Sequence, residues 1–352
     1  MPTVLITGVT GFLAAHTAVR FLEGGWNVRG TLRSKSKIQA LNEMPEFRPY
    51  IEKGMLEFYI TGPLESGDYS EAIKGVDAVA HVASPVEFEG SDFRKDYMIP
   101  AVNGTKGVLE AAAEENSVKA VVMTSTYGAV GDHRKHPTAQ AGKLVNEENW
   151  NPCTIEELEK MSSENSEGNG AFLAGYLYYM GAKKYAELAA WEIQKKAKWS
   201  LATMCCTMIW GPPIQPLSSL SKGGMSTEFM YMILGGKEAP IMDTLFPYYV
   251  DVRDAAEAHY QAIMKQSQGR FILAASPFSY QQIADDVREW YPEESHRIPI
   301  GHPGEYEFEE PGVYKLSNEK SKTELGLEYR PWEETIKDTF DRLLVLEKQG
   351  LN

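Results

Sequence analysis

The chain is predicted to be an α/β protein, with a doubly wound parallel sheet followed by a smaller mixed α/β domain. Three observations carry that expectation. Short apolar runs alternate with helical patterns over the first two-thirds, a glycine-bearing turn joins the first run to the first helix, and the rhythm loosens after Gly211-Pro212-Pro213. Strands alternating with helices imply right-handed crossovers and hence parallel pairing.

In order, Val4-Leu5-Ile6 is the first strand, and Phe12 to Leu22 has helical spacing that stops at Gly24-Gly25. Trp26–Leu32, Met55–Ile60 and Ala78–Val82 are the next three strands. A helix holds Leu109–Ala113, and Ala120–Met123 is a fifth strand. His133 to Gly170 is a polar surface excursion with a short helix over Ile155–Met161. A long helix is expected from about Tyr178 to Lys196, then a sixth strand over Leu201–Ile209. The near-continuous apolar character of these runs suits parallel strands covered on both faces. Residues 1–211 form the first domain and 212–352 mainly the second. A strand (Tyr248–Val252) and helix (Ala255–Met264) near 248–264 are expected to return to the first. The chain ends in an amphipathic helix with Ile336, Phe340, Leu343 and Leu344 on one face.

A length of 352 residues is enough for two domains with a core that needs no staples. Hydrophobic residues at 43% and charged residues at 24% exclude a disordered or fibrous chain. A net charge of −14 argues against nucleic acid and against an anionic membrane as partner. Cys153, Cys205 and Cys206 are too few for a disulfide framework, and the adjacent pair in a strand faces opposite ways. No zinc spacing is present, so no metal is expected, and His81, His133, His136 and His259 are read as structural. The longest uncharged stretch, Trp199–Ser221, is interrupted by Pro212, Pro213 and Pro216, and no basic, apolar leader opens the chain. A cytoplasmic protein without a membrane span is expected, as monomer or homodimer.

The turn Thr7-Gly8-Val9-Thr10-Gly11-Phe12-Leu13-Ala14 lies between the first strand and the first helix. Gly8 allows the tight turn, Gly11 lets backbone approach a pyrophosphate, and Ala14 lets the helix pack closely. The helix N-terminus offers free N–H groups and a positive dipole end to phosphate. After the second strand, where an acidic residue would select NAD, stands Arg33, followed by Ser34, Lys35, Ser36 and Lys37. A charge-assisted bond from Arg33 to a ribose 2′-phosphate is worth roughly 1.5–3 kcal/mol, about a 10- to 150-fold preference for NADP.

Tyr179 and Lys183 are four apart and share a helix face. An ammonium about 5 Å from the phenol would lower its pKa by about two units, toward useful acid–base chemistry. Hydroxyls of Thr124, Ser125 and Thr126 close the fifth strand, where a parallel sheet presents its ligand crevice.

Together these segments resemble the extended short-chain dehydrogenase/reductase family across essentially the whole chain. His81-Val82-Ala83-Ser84-Pro85, Asn103-Gly104-Thr105, Val250–Ala256 and Glu324-Leu325-Gly326 agree as well. Ile99–Gly104, Asn146–Pro152 and Lys183–Glu187 are similar to fungal carbonyl reductases of the methylglyoxal (isovaleraldehyde) type, relatives of plant dihydroflavonol and cinnamoyl-CoA reductases. The resemblance implies a Rossmann-type fold and NADPH-dependent reduction of a small carbonyl substrate. Tyr179 would give the proton, Lys183 would hold the ribose and lower the Tyr179 pKa, and Thr126 would orient the carbonyl, with Ser125 as its alternative. It further implies cofactor contacts at Gly8, Thr10, Gly11, Phe12, Leu13, Arg33, Lys37, Leu64, Ala83, Ser84, Ser125, Thr207 and Ile209. The substrate pocket is expected between the domains, lined by Phe88, Tyr127, Phe172, Trp210, Met225, Phe229 and Met230. Two departures stand out: Thr61-Gly62-Pro63-Leu64 lacks the family's adenine-facing Asp, and Cys205-Cys206 stands where the family has Asn-Pro. A nucleotide-sugar epimerase or dehydratase on the same scaffold would favour an acid at position 33, and a non-catalytic NADP sensor would not need the Tyr179–Lys183 pair.

Overall fold

Seven parallel strands make the large sheet in a computed structural model that describes residues 1–84, 90–164, 169–309 and 312–352, without the side chains of 162–164 and 169–172. In chain order the strands are β1 (Thr3–Ile6), β2 (Asn27–Leu32), β3 (Leu56–Ile60), β4 (Ala78–His81), β5 (Ala120–Thr126), β6 (Leu144–Val145), β7 (Ser200–Cys206), β8 (Met208–Trp210), β9 (Tyr248–Asp251), β10 (Gly269–Leu273), β11 (Ser276–Pro277) and β12 (Lys315–Leu316). The large sheet runs β10-β7-β5-β4-β1-β2-β3, and small sheets run β11-β9-β8 and β12-β6. The strand order reverses beside β1, which places a ligand crevice over the carboxyl ends of β1 and β4.

Strand alternation sorts the core into two layers. Val4, Ile6, Ala80, Val122, Met204 and Phe271 face the helices Phe12–Glu23 and Val252–Met264. Leu5, Val79, Val121, Met123 and Leu201 face the helices Ile99–Glu114 and Asn169–Gln194. A third cluster around Trp210, Phe278, Ile283 and Phe340 is the core of the C-terminal part, and includes the inner face of the last helix, Trp332–Lys348. Among the described residues no helix is long and apolar enough to cross a membrane.

Three expectations needed correction. The single strand expected over Leu201–Ile209 is two strands in different sheets. Its break is at Thr207, whose backbone N–H and hydroxyl both donate to the carbonyl of Leu273, at 3.2 and 2.9 Å. The long helix begins at Asn169, nine residues before the expected start, so Tyr179 stands in its third turn. Of the segment 248–264, the helix packs on the large sheet, where Tyr260 meets Phe21 edge-on at 5.2 Å, but Tyr248–Asp251 pairs in the small sheet. The strand that returns to the large sheet is β10, beside β7. Arg270 within it reads as a surface residue, yet it is buried against Glu187.

Candidate active site

The first turn is shaped by steric limits. Gly8 sits at φ +67°, and a Cβ there would lie 2.8 Å from the Cβ of Ala83. Gly11 N–H closes the turn onto the Gly8 carbonyl at 2.9 Å and caps the helix Phe12–Glu23 without any side-chain cap. The first N–H groups of that helix therefore point outward with no partner in the helix. Thr7, just before the turn, locks it to β4. Its Oγ1 accepts from the N–H groups of Val82 and Ala83, each at 3.0 Å, and donates to Nδ1 of His81 at 3.0 Å. Burial holds His81 neutral, with its pKa down to about 3. Thr7 is a site residue that the glycine pattern did not single out.

Arg33, Lys35 and Lys37 are exposed, and among the described residues none of them forms an ion pair or side-chain hydrogen bond. Three unneutralised cations in an acidic chain, beside an uncapped helix N-terminus and a glycine cradle that a Cβ would fill, suit a polyphosphate with a further phosphate on its ribose.

An open cavity of about 310 Å³ brings Arg33 together with the Tyr179–Lys183 pair. Arg33 after β2, Pro63 and Glu65 after β3, Asp96, Tyr97, Pro100 and Ala101 around the start of the helix Ile99–Glu114, and Tyr179 and Lys183 from the long helix share its wall. Lys183 is buried, and its Nζ donates to the Thr124 carbonyl at 2.9 Å and to Ser84 Oγ at 3.3 Å. Burial lowers its pKa to about 8, while the nearby Glu187 charge works in the other direction. Tyr179 is half-buried, and the low-polarity surroundings push its phenol above its ordinary value. The expected depression by Lys183 is not seen: lost hydration, with a smaller contribution from Cys206, raises the phenol instead. Thr126 is half-buried at the end of β5, and its hydroxyl accepts from Gly128 N–H at 3.1 Å, leaving its own proton to donate.

Residues 5–166 match the model of the 3-beta hydroxysteroid dehydrogenase/isomerase family. The whole chain is similar to the NADPH-dependent methylglyoxal reductase GRE2 of Saccharomyces cerevisiae: 31% identical over 359 residues, covering 98% of this chain and 99% of that one. The chain belongs to the extended short-chain dehydrogenase/reductase family. This family member is also 30% identical over 355 residues to the ketoreductase azaE of Aspergillus niger, with 97% of each chain covered. The crystal structure of yeast methylglyoxal/isovaleraldehyde reductase Gre2 complexed with NADPH has the same architecture, with a TM-score of 0.84 at 30% identity and 99% of both chains covered.

Several expected site residues of this dehydrogenase/reductase lie elsewhere. Ser125 is buried and turned away from the crevice, because alternation along β5 gives it the face opposite Thr124 and Thr126; its hydroxyl donates to Glu187 at 2.5 Å. Thr207 spends its hydroxyl on Leu273, and Ile209 is half-buried against the large core. Trp210 and Met230 belong to the C-terminal core, with Trp210 edge-on to Phe278 at 5.7 Å. Tyr127 is also buried, among Tyr314, Phe246 and His133. All three were expected to line a pocket and instead fill cores, since rings at these positions find partners within the fold. Met225 and Phe229 remain half-buried, as does Leu64, which packs at Gly104. Thr10, Phe12 and Leu13 stand at the uncapped helix start, and Ala83 beside Gly8. Phe88 and the side chain of Phe172 lie outside the described residues.

Proposed function

We propose that the protein reduces the carbonyl group of small aldehydes and ketones to the alcohol with NADPH. The observation that carries this reading is that one cavity wall holds both Arg33 and the Tyr179–Lys183 pair. The relatives named for NADPH-dependent methylglyoxal reduction and for ketone reduction support it.

The Gly8–Leu13 turn would hold the pyrophosphate, Arg33 and Lys37 the 2′-phosphate, and Ser84 and Lys183 the nicotinamide ribose. When bound, the cofactor supplies the hydride that reaches the carbonyl carbon. Thr126 donates its free hydroxyl proton to the carbonyl oxygen as a hydrogen bond and fixes the substrate. Tyr179 stays protonated at neutral pH because burial raises its pKa, so it is ready to give its proton to the developing alkoxide. Lys183, charged below about pH 8, stabilises the phenolate left behind, which then regains a proton from solvent.

The test is to follow NADPH and NADH consumption by the purified protein against small aldehydes, diketones and aryl ketones. Turnover with NADPH well above that with NADH is expected. Equal use of the two cofactors contradicts the role of Arg33, and no turnover with any carbonyl leaves a cofactor-binding protein without reductase activity.

A further inference from the structure

Outside the residues assigned to the reaction, one buried carboxylate accepts an unusually full set of hydrogen bonds. Glu187 is fully buried two turns beyond Tyr179 and one turn beyond Lys183, on the same stripe of the long helix. Arg270 Nε donates to its Oε1 at 2.7 Å and Nη2 to its Oε2 at 3.4 Å. Thr203 and Trp191 donate to Oε1 at 2.8 and 3.3 Å, and Ser125 donates to Oε2 at 2.5 Å. One carboxylate thus ties β5, β7 and β10 to the helix that carries the reacting pair. Arg270 continues the chain outward: it donates to the carbonyls of Glu147, Asn149 and Ala129, and its guanidinium lies 3.7 Å from the ring of Trp150.

A pair buried this deeply is weak support for stability, because its desolvation offsets most of its attraction. Its placement points to a different use. Ser125 bonded to Glu187 fixes the face of β5, which forces Thr126 to the other side. Lys183 bonded to the Thr124 carbonyl fixes the same strand end one residue earlier. We propose that Glu187 and Arg270 are positioning residues for the carbonyl reduction, clamping residues 124–126 against the helix so that Thr126, Tyr179 and Lys183 keep one geometry. This inference rests on the reductase reading above.

The Glu187 charge also favours protonated Lys183. The other titratable groups facing Lys183 are Cys205 and Cys206 from β7, His81 from β4 and Tyr179 from its own helix, while Arg33, Glu65 and Asp96 share the cavity. Cys206 is pushed up to about 12 and His81 down to about 3, so neither changes charge between pH 6 and 9 (roughly the range of a reductase assay).

The experiment measures the single-turnover rate of NADPH oxidation with a carbonyl substrate across pH, with the KM for NADPH, in wild type, Ser125→Ala, Glu187→Gln and Glu187→Asp. Ser125→Ala is expected to fold normally and lose about 2- to 10-fold in rate with an unchanged KM, the worth of one hydrogen bond. Glu187→Gln is expected to move the alkaline limb of the rate profile to lower pH, and Glu187→Asp to restore the limb but not the full rate. A Ser125→Ala enzyme with the wild-type rate, together with a Glu187→Gln limb that does not move, overturns the proposal and leaves the reductase reading intact. If Glu187→Gln does not fold, Ser125→Ala decides alone. A wild-type protein that turns over no carbonyl overturns the reductase reading first, and this inference with it.

Discussion

Lys183 Nζ donates to the main-chain carbonyl of Thr124 at 2.9 Å, which joins the helix bearing the reacting pair to the end of the central strand β5. The ammonium has left water to do so. Its pKa of about 8, against the usual 10.5, means that the unfolded chain binds the proton more tightly. The cost is present in full below pH 8 and disappears as pH rises from about 8 to 10.5, since the unfolded state carries more protons across that window. A shift of this size corresponds to something on the order of 3 kcal/mol. Lys183→Met should therefore raise the unfolding free energy at pH 7, by up to that amount, while abolishing carbonyl reduction. Urea unfolding at pH 7 and pH 10 checks it: the stabilisation should shrink at the higher pH.

The rate should fall with alkalinity for the same reason. Reduction at saturating NADPH is expected to decline as pH rises through about 8, where Lys183 loses its charge. The Tyr179 phenol, pushed upward by burial, stays protonated across this range and adds no break of its own. A rate that keeps climbing to pH 10 would remove Lys183 from its role.

Arg33 is exposed at the mouth of the cavity, so its replacement should be felt by the cofactor and not by the fold. Arg33→Ala is expected to raise the Kd for NADPH about 10- to 150-fold and leave that for NADH nearly unchanged, the measure of one charge-assisted bond to phosphate. Fluorescence titration with both dinucleotides separates the two.

Thr7→Val keeps the shape of the side chain and removes its oxygen. The N–H groups of Val82 and Ala83 and Nδ1 of His81 then lose their partner. Buried groups left unpaired cost about 1–3 kcal/mol each, so a loss of at least about 3 kcal/mol in stability is expected for the three, with weaker NADPH binding because the β4 loop is released from the glycine turn. Calorimetry with and without NADPH reads both effects.

The sequence revealed the scaffold where local pattern and burial agree. β1, β4 and β5 are largely apolar runs buried on both faces, and the glycines at 8 and 11 mark the turn that follows the first of them. Arg33, Tyr179 and Lys183 were legible because each is set by its distance from such an element. What stayed hidden depends on partners distant in the chain. Arg270 reads as surface until Glu187, 83 residues away, neutralises it, so β10 was missed. Ser125 and Thr126 are chemically interchangeable on paper, and only the strand's alternation against Glu187 separates them. Trp210, Met230 and Tyr127 look like pocket residues until Phe278 and Tyr314 are packed upon them. The direction of the Tyr179 shift depends on burial, which spacing cannot supply.

The most direct measurement compares wild type with Tyr179→Phe, recording both NADPH affinity and the rate of carbonyl reduction. Loss of a general acid should lower the rate about 10²- to 10⁴-fold while the Kd for NADPH holds steady. A Tyr179→Phe protein that reduces carbonyls as fast as wild type would contradict the central claim.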